Sequence, residues 1–424
     1  MFDRLDINLI INSTVHIACA NGAGMSGLLS ILRCLNCKVT ASDAAWGDEV
    51  LPAGTDILIT SSAMNIDHPL ILEARARGVM IMHRMDLICL LFEQSKKLIV
   101  LGSHGKTTTS GILANVLCDQ SFVIGGLHLN RNANAEYVGK VDLSVSEYCV
   151  LETDESDRSF EKITPFGGIV TALSPEHLER YNYDFDNLKS AFAKYINNIQ
   201  GPVVINKDDV NLAQLNVKAL TYGQQGDYKL IVHSLDVFSV VRPNGEVISD
   251  IQLGVFGRHF IQNAAGVVAL CCEIGVSVDQ IRKGLAGFKG MGRRLEQLAR
   301  KDKLIFIDDY AHCPQEIIAS IAALKEQFAH EFLTIIFEPH QKQRLERSWM
   351  EFVKALEMAD RVFVMDVFGA RESLTVEQKH DVSMRLVQES DKFEHFDNWK
   401  QPAEGVVVAM GAGDSCAAIR ALLN

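Results

Sequence analysis

The sequence predicts an α/β protein of three domains. Short, branched apolar runs alternate with helical segments along the chain, and polar residues gather where those runs end. Two glycine-rich loops, Gly22–Gly27 and Gly102–Thr107, each stand between such a run and a helical segment. The 424 residues leave room for about three domains at ~150 residues each.

Bulk composition narrows the function classes. With 48 % hydrophobic and 22 % charged residues the chain can build full cores. Its formal charge of −12 argues against general binding to nucleic acid or anionic membranes, which needs a basic face. Residues 1–8 show no basic stretch followed by an apolar core, and no 18-residue apolar run occurs, so neither a signal peptide nor a membrane span is expected. The 10 scattered cysteines suit reduced thiols in the cytoplasm. Cys34 and Cys37 form a CxxC, but late in a predicted helix, away from the N-terminal position that lowers a thiol pKa, and ordinary packing is expected there.

In chain order, Val15–Ala20 reads as a strand, followed by Gly22-Ala23-Gly24-Met25-Ser26-Gly27 and a helix over Leu28–Leu35. A strand at Lys38–Ala41 then leads to Asp43. This is a GxGxxG in Rossmann-like context, suited to a nucleotide diphosphate. Asp56–Thr60 is a strand ending in Ser61-Ser62, and the first domain closes near Gln94 after a strand at Val79–Met82 and a helix over Met85–Phe92.

The second domain opens with the stretch that organises the chain. Leu98–Leu101 is a buried strand, Gly102-Ser103-His104-Gly105-Lys106-Thr107-Thr108 a phosphate loop, and Ser110–Leu117 a helix. Backbone N–H groups and the helix dipole point at phosphate, Lys106 adds positive charge, and the Thr107 hydroxyl can hold Mg²⁺. Only two residues separate the glycines, a tighter spacing than the usual P-loop. Tyr148–Leu151 is a strand ending in Glu152, Asp154, Glu155 and Asp157, carboxylates placed to hold Mg²⁺. Ile169–Leu173 leads to Glu176-His177, where the histidine reads equally as structural or as a ligand. Asp186–Ile199 is an amphipathic helix, Lys229–Val241 a hairpin pattern ending at Pro243-Asn244-Gly245, and Gly257–Cys272 a long apolar helix. Arg293 and Arg294 sit in a loop and suit phosphate oxygens.

The third domain begins near Leu298. Its strand Leu304–Ile307 ends in Asp308-Asp309-Tyr310-Ala311-His312, followed by a helix over Glu316–Phe328. Leu333–Phe337 ends in Glu338-Pro339-His340, with Arg344 close behind; Trp349–Leu356 is a helix, and Val406–Met410 runs into Gly411–Asp414. The predicted architecture is thus a Rossmann-like domain at 1–94, a P-loop ATPase-type domain at 95–297 and a Rossmann-like domain at 298–424.

These motifs, in this order and over nearly the whole chain, resemble the Mur ligases, ATP-dependent amide-forming enzymes of cell-wall synthesis. The residues that carry the resemblance are Gly22–Gly27, Ser61-Ser62-Ala63, Gly105–Thr109, Glu152–Phe160, Asp309-Tyr310 with His312 and Pro314, and Met410–Asp414. They look most like the branch that adds L-alanine to UDP-N-acetylmuramate. Phe192 stands where other branches carry a carbamylated lysine, as an aromatic does in the alanine-adding enzymes.

The resemblance implies ATP and Mg²⁺ as cofactors and two small-molecule substrates, UDP-N-acetylmuramate and L-alanine. Lys106 would hold the β- and γ-phosphates, and Thr107 one Mg²⁺, with Glu152 and His177 on a second. His259 and Asn263 look like the adenine-contacting pair, while Arg294 and Asp309 would reach the nucleotide. His340 and Arg344 would face the muramoyl carboxylate or the incoming amino acid. Gly22, Ala23, Gly24, Met25, Ser26, Asp43, Ser61 and Ser62 would form the UDP-sugar site. Lys106→Ala is expected to abolish turnover and leave the fold intact, a loop lysine contributing little packing.

The chain departs from the family pattern at several places. Cys19-Ala20-Asn21 replaces a glycine-rich stretch, and only residues 44–55 separate Asp43 from Asp56, shortening the first domain. Ala172 replaces an asparagine, Glu176 and Glu179 replace aspartates, Phe260 replaces an asparagine, Gln341-Lys342 replace Arg-Tyr, and Arg371 replaces a glycine. A ligase for another acid or amine, such as a murein-peptide or secondary-metabolite ligase, and a nucleotide-binding protein without ligation stay open beside the alanine ligase. A dehydrogenase reading would require NAD(P)H binding.

Overall fold

In a computed structural model of the chain, residues 7–44, 50–139, 146–369, 372–413 and 415–423 are described. Arg371, Asp414 and the first six residues, read above, lie outside them. The chain forms two compact units: Met1–Ile231 with Val237–Gly254 and Gln262–Lys289, and Val232–Asp236 with Val255–Ile261 and Gly290–Asn424.

The first unit carries two sheets. The smaller is parallel, with β1 (Thr14–Ile17), β2 (Lys38–Ala41), β3 (Ile57–Thr60) and β4 (Met80–His83) in the order β2-β1-β3-β4. The helix after β1 runs over Ala23–Cys34, starting inside the glycine motif rather than at Leu28. That start depends on close approach. A Cβ on Gly27 would lie 2.8 Å from the Ala135 side chain, and one on Gly24 would lie 2.6 Å from the Arg84 guanidinium. Cys34, which ends the helix, and Cys37 are both free thiols; Cys37 is buried as ordinary packing requires, whereas Cys34 is exposed.

The larger sheet consists of β5 (Lys96–Leu101), β6 (Ser121–His128), β7 (Ala133–Glu136), β8 (Tyr148–Glu152), β9 (Gly167–Val170), β10 (Val203–Asn206), β11 (Leu220–Gly223), β12 (Tyr228–Val232), β13 (Val237–Val241) and β14 (Val247–Gln252). Its order is β14-β13-β12-β11-β10-β9-β5-β8-β6-β7. Leu98–Leu101, Cys149–Leu151 and Gly167–Val170 are buried, as central parallel strands require. The pattern expected over Lys229–Val241 appears as the neighbouring strands β12 and β13. The turn at Pro243–Gly245, with Gly245 at φ +85° and the Arg242 N–H bonded to the Glu246 carbonyl, leads antiparallel into β14, a strand not expected from the sequence. The β6–β7 hairpin was not anticipated. It receives the helix Ala23–Cys34, and one apolar cluster runs continuously from Val15, Leu28 and Leu32 to Ile99, Leu151 and Phe192. Burial of such a shared core joins the two sheets into one unit.

The second unit is built on β15 (Glu296–Lys301), β16 (Leu304–Asp309), β17 (Leu333–Phe337), β18 (Arg361–Val364), β19 (Phe393–His395) and β20 (Gly405–Met410). They lie in the order β15-β16-β20-β17-β18-β19, all parallel except β15. Strands β16, β17 and β20 are buried throughout, and their carboxyl ends carry Asp309, Glu338 and Gly411. The helix Val376–Val387 escaped the sequence reading because it is polar on average; a capping box between Thr375 and Gln378 marks its start. No helix among the described residues is long and apolar enough to cross a membrane.

Candidate functional site

The phosphate loop lies where β5, flanked by β8 and β9, gives way to the helix Lys106–Val116. Adjacent parallel strands bring the loops after β5, β8 and β9 to one edge of the sheet, the usual place for a ligand crevice. Gly102 has φ +145°, and a Cβ there would overlap the Thr171 hydroxyl and come within 2.8 Å of the Ala172 backbone. Gly105, the helix N-cap, has φ +79°, and a Cβ there would meet Asn263 Oδ1 at 2.7 Å. Both glycines are therefore required by backbone conformation and by space. The loop is braced by Ser103 N–H to the Ala172 carbonyl at 2.9 Å, Ser174 N–H to Ser103 Oγ at 2.9 Å and Thr171 Oγ1 to the His104 carbonyl at 2.5 Å. His104 Nε2 lies 3.3 Å from Glu176 Oε1.

Lys106 folds back over its own loop. Its Nζ donates to the Gly102 carbonyl at 2.6 Å and to Glu155 Oε2 at 2.8 Å. The Lys106 side chain is 15 % exposed and that of Glu155 only 1 %. Burial by itself would lower the lysine pKa, but Glu155, Asp154 and Glu152 outweigh it and hold the ammonium above its usual range. Burial raises the Glu155 carboxyl, with Lys106 offsetting part of the shift. At Asp154 burial works the same way, yet Lys106 and Ser156 prevail and the acid sits below its usual range. In this state Glu155 stands where a phosphate charge would serve the lysine equally well.

Thr107 Oγ1 donates to Glu152 Oε1 at 2.9 Å, and Glu152 Oε2 accepts the Gly125 N–H at 2.6 Å. A hydroxyl beside a fixed carboxylate is a hard oxygen pair of the kind Mg²⁺ takes, usually with its remaining positions filled by water and phosphate. Thr108 is buried in the first turn of the same helix. His177 sits in a left-handed conformation (φ +54°) before the short turn Leu178–Tyr181. That turn is tied to the acidic loop by Tyr181 Oη donating to the Glu155 carbonyl at 2.7 Å. Phe192 is fully buried and packs on Phe160 at 5.8 Å, so its position serves the core.

In the smaller sheet, Gly22 caps the helix that carries Ala23, Gly24, Met25 and Ser26, and Met25 is buried. Ser26 Oγ accepts from Asn134 Nδ2 at 2.8 Å. Asp43 Oδ2 accepts the Asn21 N–H at 2.9 Å, bracing the glycine turn. Cys19, where the family pattern has glycine, takes φ +53°, the conformation that favours glycine. Ser62 Oγ lies 2.8 Å from His83 Nε2, and the Ser61 carbonyl accepts the Met64 N–H. Sequence reading missed Arg84. It follows β4 directly, lies over Gly24, and its Nη2 is 3.8 Å from Asp157 Oδ2. The signal in the sequence was a cation directly after the short apolar strand Val79–Met82.

The second unit gathers its own cluster. Arg293 and Arg294 both lie over the Tyr310 ring, at 4.9 and 5.0 Å. Arg294 Nη1 is 3.9 Å from Glu316 Oε1, and the rings of Tyr310, His312 and His340 follow one another at 5.2 and 5.4 Å. His340 stacks on Phe368, with Arg344 Nη1 3.5 Å from its Nδ1. Asp309 is 3 % exposed, its Oδ1 accepting the Ala311 N–H at 3.4 Å, and burial pushes its pKa up to about 6. The structure therefore turns this carboxylate inward rather than presenting it to a ligand. His259 is pulled down to about 4 by burial and then by Arg294, which keeps the imidazole neutral near pH 7. His259 belongs to this unit, whereas Asn263, four residues on, packs against Gly105 in the first.

Comparison with known proteins follows the same lines. The family model for the Mur ligase middle domain matches residues 100–271, and that for the Mur ligase glutamate ligase domain matches 293–417. A UDP-N-acetylmuramate–L-alanine ligase of Methylobacillus flagellatus is 32 % identical over 419 residues, covering 90 % of this chain and 87 % of the relative. One from Burkholderia multivorans is 31 % identical, covering 90 % and 88 %. Among solved structures, the UDP-N-acetylmuramate–alanine ligase of Thermotoga maritima superposes with a TM-score of 0.81 at 26 % identity, covering 97 % of this chain and 98 % of that one. A murein peptide ligase of Psychrobacter arcticus shares the fold at a TM-score of 0.71 and 22 % identity, covering 97 % and 98 %. Sequence, sheet order and loop geometry agree: this chain belongs to the Mur ligase family.

Proposed function

We propose that the protein joins L-alanine to UDP-N-acetylmuramate in the cytoplasm, using ATP and forming ADP and phosphate. The observation that carries this reading is the likeness, over nine-tenths of the chain, to relatives named for that reaction. Lys106, Thr107 and Glu152 stand together at the phosphate loop, and this arrangement supports it. The murein-peptide relative supports the fold alone.

A free carboxylate has no good leaving group, so the reaction needs one supplied. An oxygen of the muramoyl carboxylate attacks the γ-phosphorus of ATP and ADP departs, leaving an acyl phosphate. The alanine amine then attacks the acyl carbon, the C–O bond to phosphate breaks, and the amine sheds a proton as the amide forms. Enzyme work in such a transfer is mostly alignment and charge neutralisation.

In this reading the loop N–H groups of Gly102–Thr108 cradle the phosphates, and Lys106 exchanges its ion pair with Glu155 for the β- and γ-phosphate oxygens. Thr107 and Glu152, with His177, would hold Mg²⁺, which neutralises charge on the transferring phosphoryl group when bound. Asn263 and His259 take the adenine side. His340, Arg344 and Arg294 offer donors to the carboxylates and phosphate of the reacting groups. Gly22–Ser26, Asp43, Ser61 and Ser62 form the sugar-nucleotide side, and Arg84 adds a cation there. The expected domains 1–94, 95–297 and 298–424 would supply one sheet each, with the last boundary moved ahead of Glu296, where β15 begins.

Phosphate release from Mg·ATP tests the reading. Release should require UDP-N-acetylmuramate and L-alanine together, and alanine should outrun other amino acids. Tight ATP binding without release on UDP-N-acetylmuramate would overturn the substrate assignment and point to another acid.

A further inference from the structure

We propose that Asp366, His380 and His395, within the second unit, form a binding site for a borderline divalent transition metal such as Zn²⁺. Strands β18 and β19 run parallel, with Val364 and His395 in register, so their carboxyl ends are neighbours. Asp366 follows β18 by two residues, and His380 projects from the second turn of the helix Val376–Val387. Asp366 Oδ1 lies 3.1 Å from His380 Nδ1 and 3.1 Å from His395 Nε2. The two imidazole rings stand edge to face at 4.7 Å. The three ligand atoms all lie within 4.8 Å of one another.

The two carboxylate–imidazole spacings of 3.1 Å are close to the edges of a coordination polyhedron. Around a tetrahedral zinc, with bonds of about 2.0–2.2 Å to nitrogen and oxygen, neighbouring ligand atoms are on the order of 3.4 Å apart. Two imidazoles and one carboxylate select Zn²⁺, Co²⁺ or Ni²⁺ over Mg²⁺ and Ca²⁺, which prefer all-oxygen shells. Asp366 and His380 are half-exposed, at 42 % and 44 %, leaving room for water as a fourth ligand, while His395 at 9 % anchors the inner side.

A second feature favours ligation. His395 Nδ1 lies 3.2 Å from Asp397 Oδ2, the carboxylate–histidine arrangement that orients metal ligands. Without a cation, Nδ1 accepts the Asp397 backbone N–H at 3.3 Å and Nε2–H points at Asp366. Cation binding shifts the ring proton to Nδ1, directs it to the Asp397 carboxylate, and frees the Nε2 lone pair. The metal would tie the helix Val376–Val387 to the edge of the sheet, so its main consequence is local stability.

The test uses the full chain, stripped with chelator and titrated with zinc chloride by calorimetry, beside His380→Ala and Asp366→Asn. Both positions are half-exposed, so both variants should fold, and Thr107, Glu152 and His177 remain untouched in each. The expected result is one zinc per parent chain whose affinity falls at least tenfold in either variant. Zinc should also raise the parent Tm more than that of His380→Ala. Absence of saturable zinc binding by the parent, or binding by both variants as tight as the parent's, would overturn the proposal.

Discussion

Glu152 is held from two sides: its Oε1 accepts the Thr107 hydroxyl at 2.9 Å and its Oε2 accepts the Gly125 N–H at 2.6 Å. The phosphate-loop helix and the β6 strand thereby fix one carboxylate between them. A Cβ on Gly125 would come 2.5 Å from Oε1 and 2.9 Å from the carboxyl carbon. Gly125 is itself exposed, so Gly125→Ala should fold with a Tm close to the parent. The displaced carboxylate should raise the Mg²⁺ concentration needed for phosphate release and lower kcat about tenfold, ~1.4 kcal/mol. An unchanged Mg²⁺ dependence would remove Glu152 from the metal set.

Lys106→Ala should abolish turnover, but the structure corrects the expectation that it is structurally silent. The lysine pairs with a buried carboxylate at 2.8 Å, and removing one partner of such a pair costs on the order of 3–5 kcal/mol, less whatever protonation of Glu155 recovers. Thermal unfolding should show Lys106→Ala well below the parent. Adding Glu155→Gln should restore part of the Tm and none of the activity. Full activity in either variant would end the phosphate-loop assignment.

Asp308 links stability to pH. Burial, only partly offset by Arg293, raises its carboxyl from 3.8 to about 6. The folded state therefore binds this proton more tightly than the unfolded chain, and the group's contribution falls as pH rises from about 4 to about 6. Above that window the full cost of a buried charge is present. Asp308→Asn cannot ionise, so the difference between its Tm and the parent's should shift in the variant's favour between pH 5 and pH 7.5. A difference that does not move with pH would mean the carboxyl is not titrating there.

Arg84→Ala should act on one substrate only. The side chain lies over Gly24 and reaches Asp157 at 3.8 Å, beyond hydrogen-bond distance. The expected outcome is a raised KM for the sugar nucleotide with the KM for ATP unchanged. Steady-state kinetics with each substrate varied in turn check this, and a parallel rise in both values would place Arg84 outside the sugar-nucleotide site.

Local chemistry made much of this protein legible in one dimension. The strand, glycine loop and helix of 96–116 announce themselves because branched apolar residues, positive-φ glycines and a lysine at the helix start each have one local use. The same holds for the carboxylates from the end of β8 onward and the aspartates that close β16, since a strand's end is visible in its sequence. Tertiary structure alone decided which of these groups meet. Sheet order places β8 beside β5, bringing Glu152 to Thr107 and Glu155 to Lys106, and it brings Gly125 to the far side of the same carboxylate. It also buries Asp309, sets Arg84 over Gly24, and collects Asp366, His380 and His395 from three separate elements. The reason is physical. A residue's backbone preference depends on its neighbours in the chain, whereas its partner depends on which strands pack side by side, and that ordering is a property of the whole core.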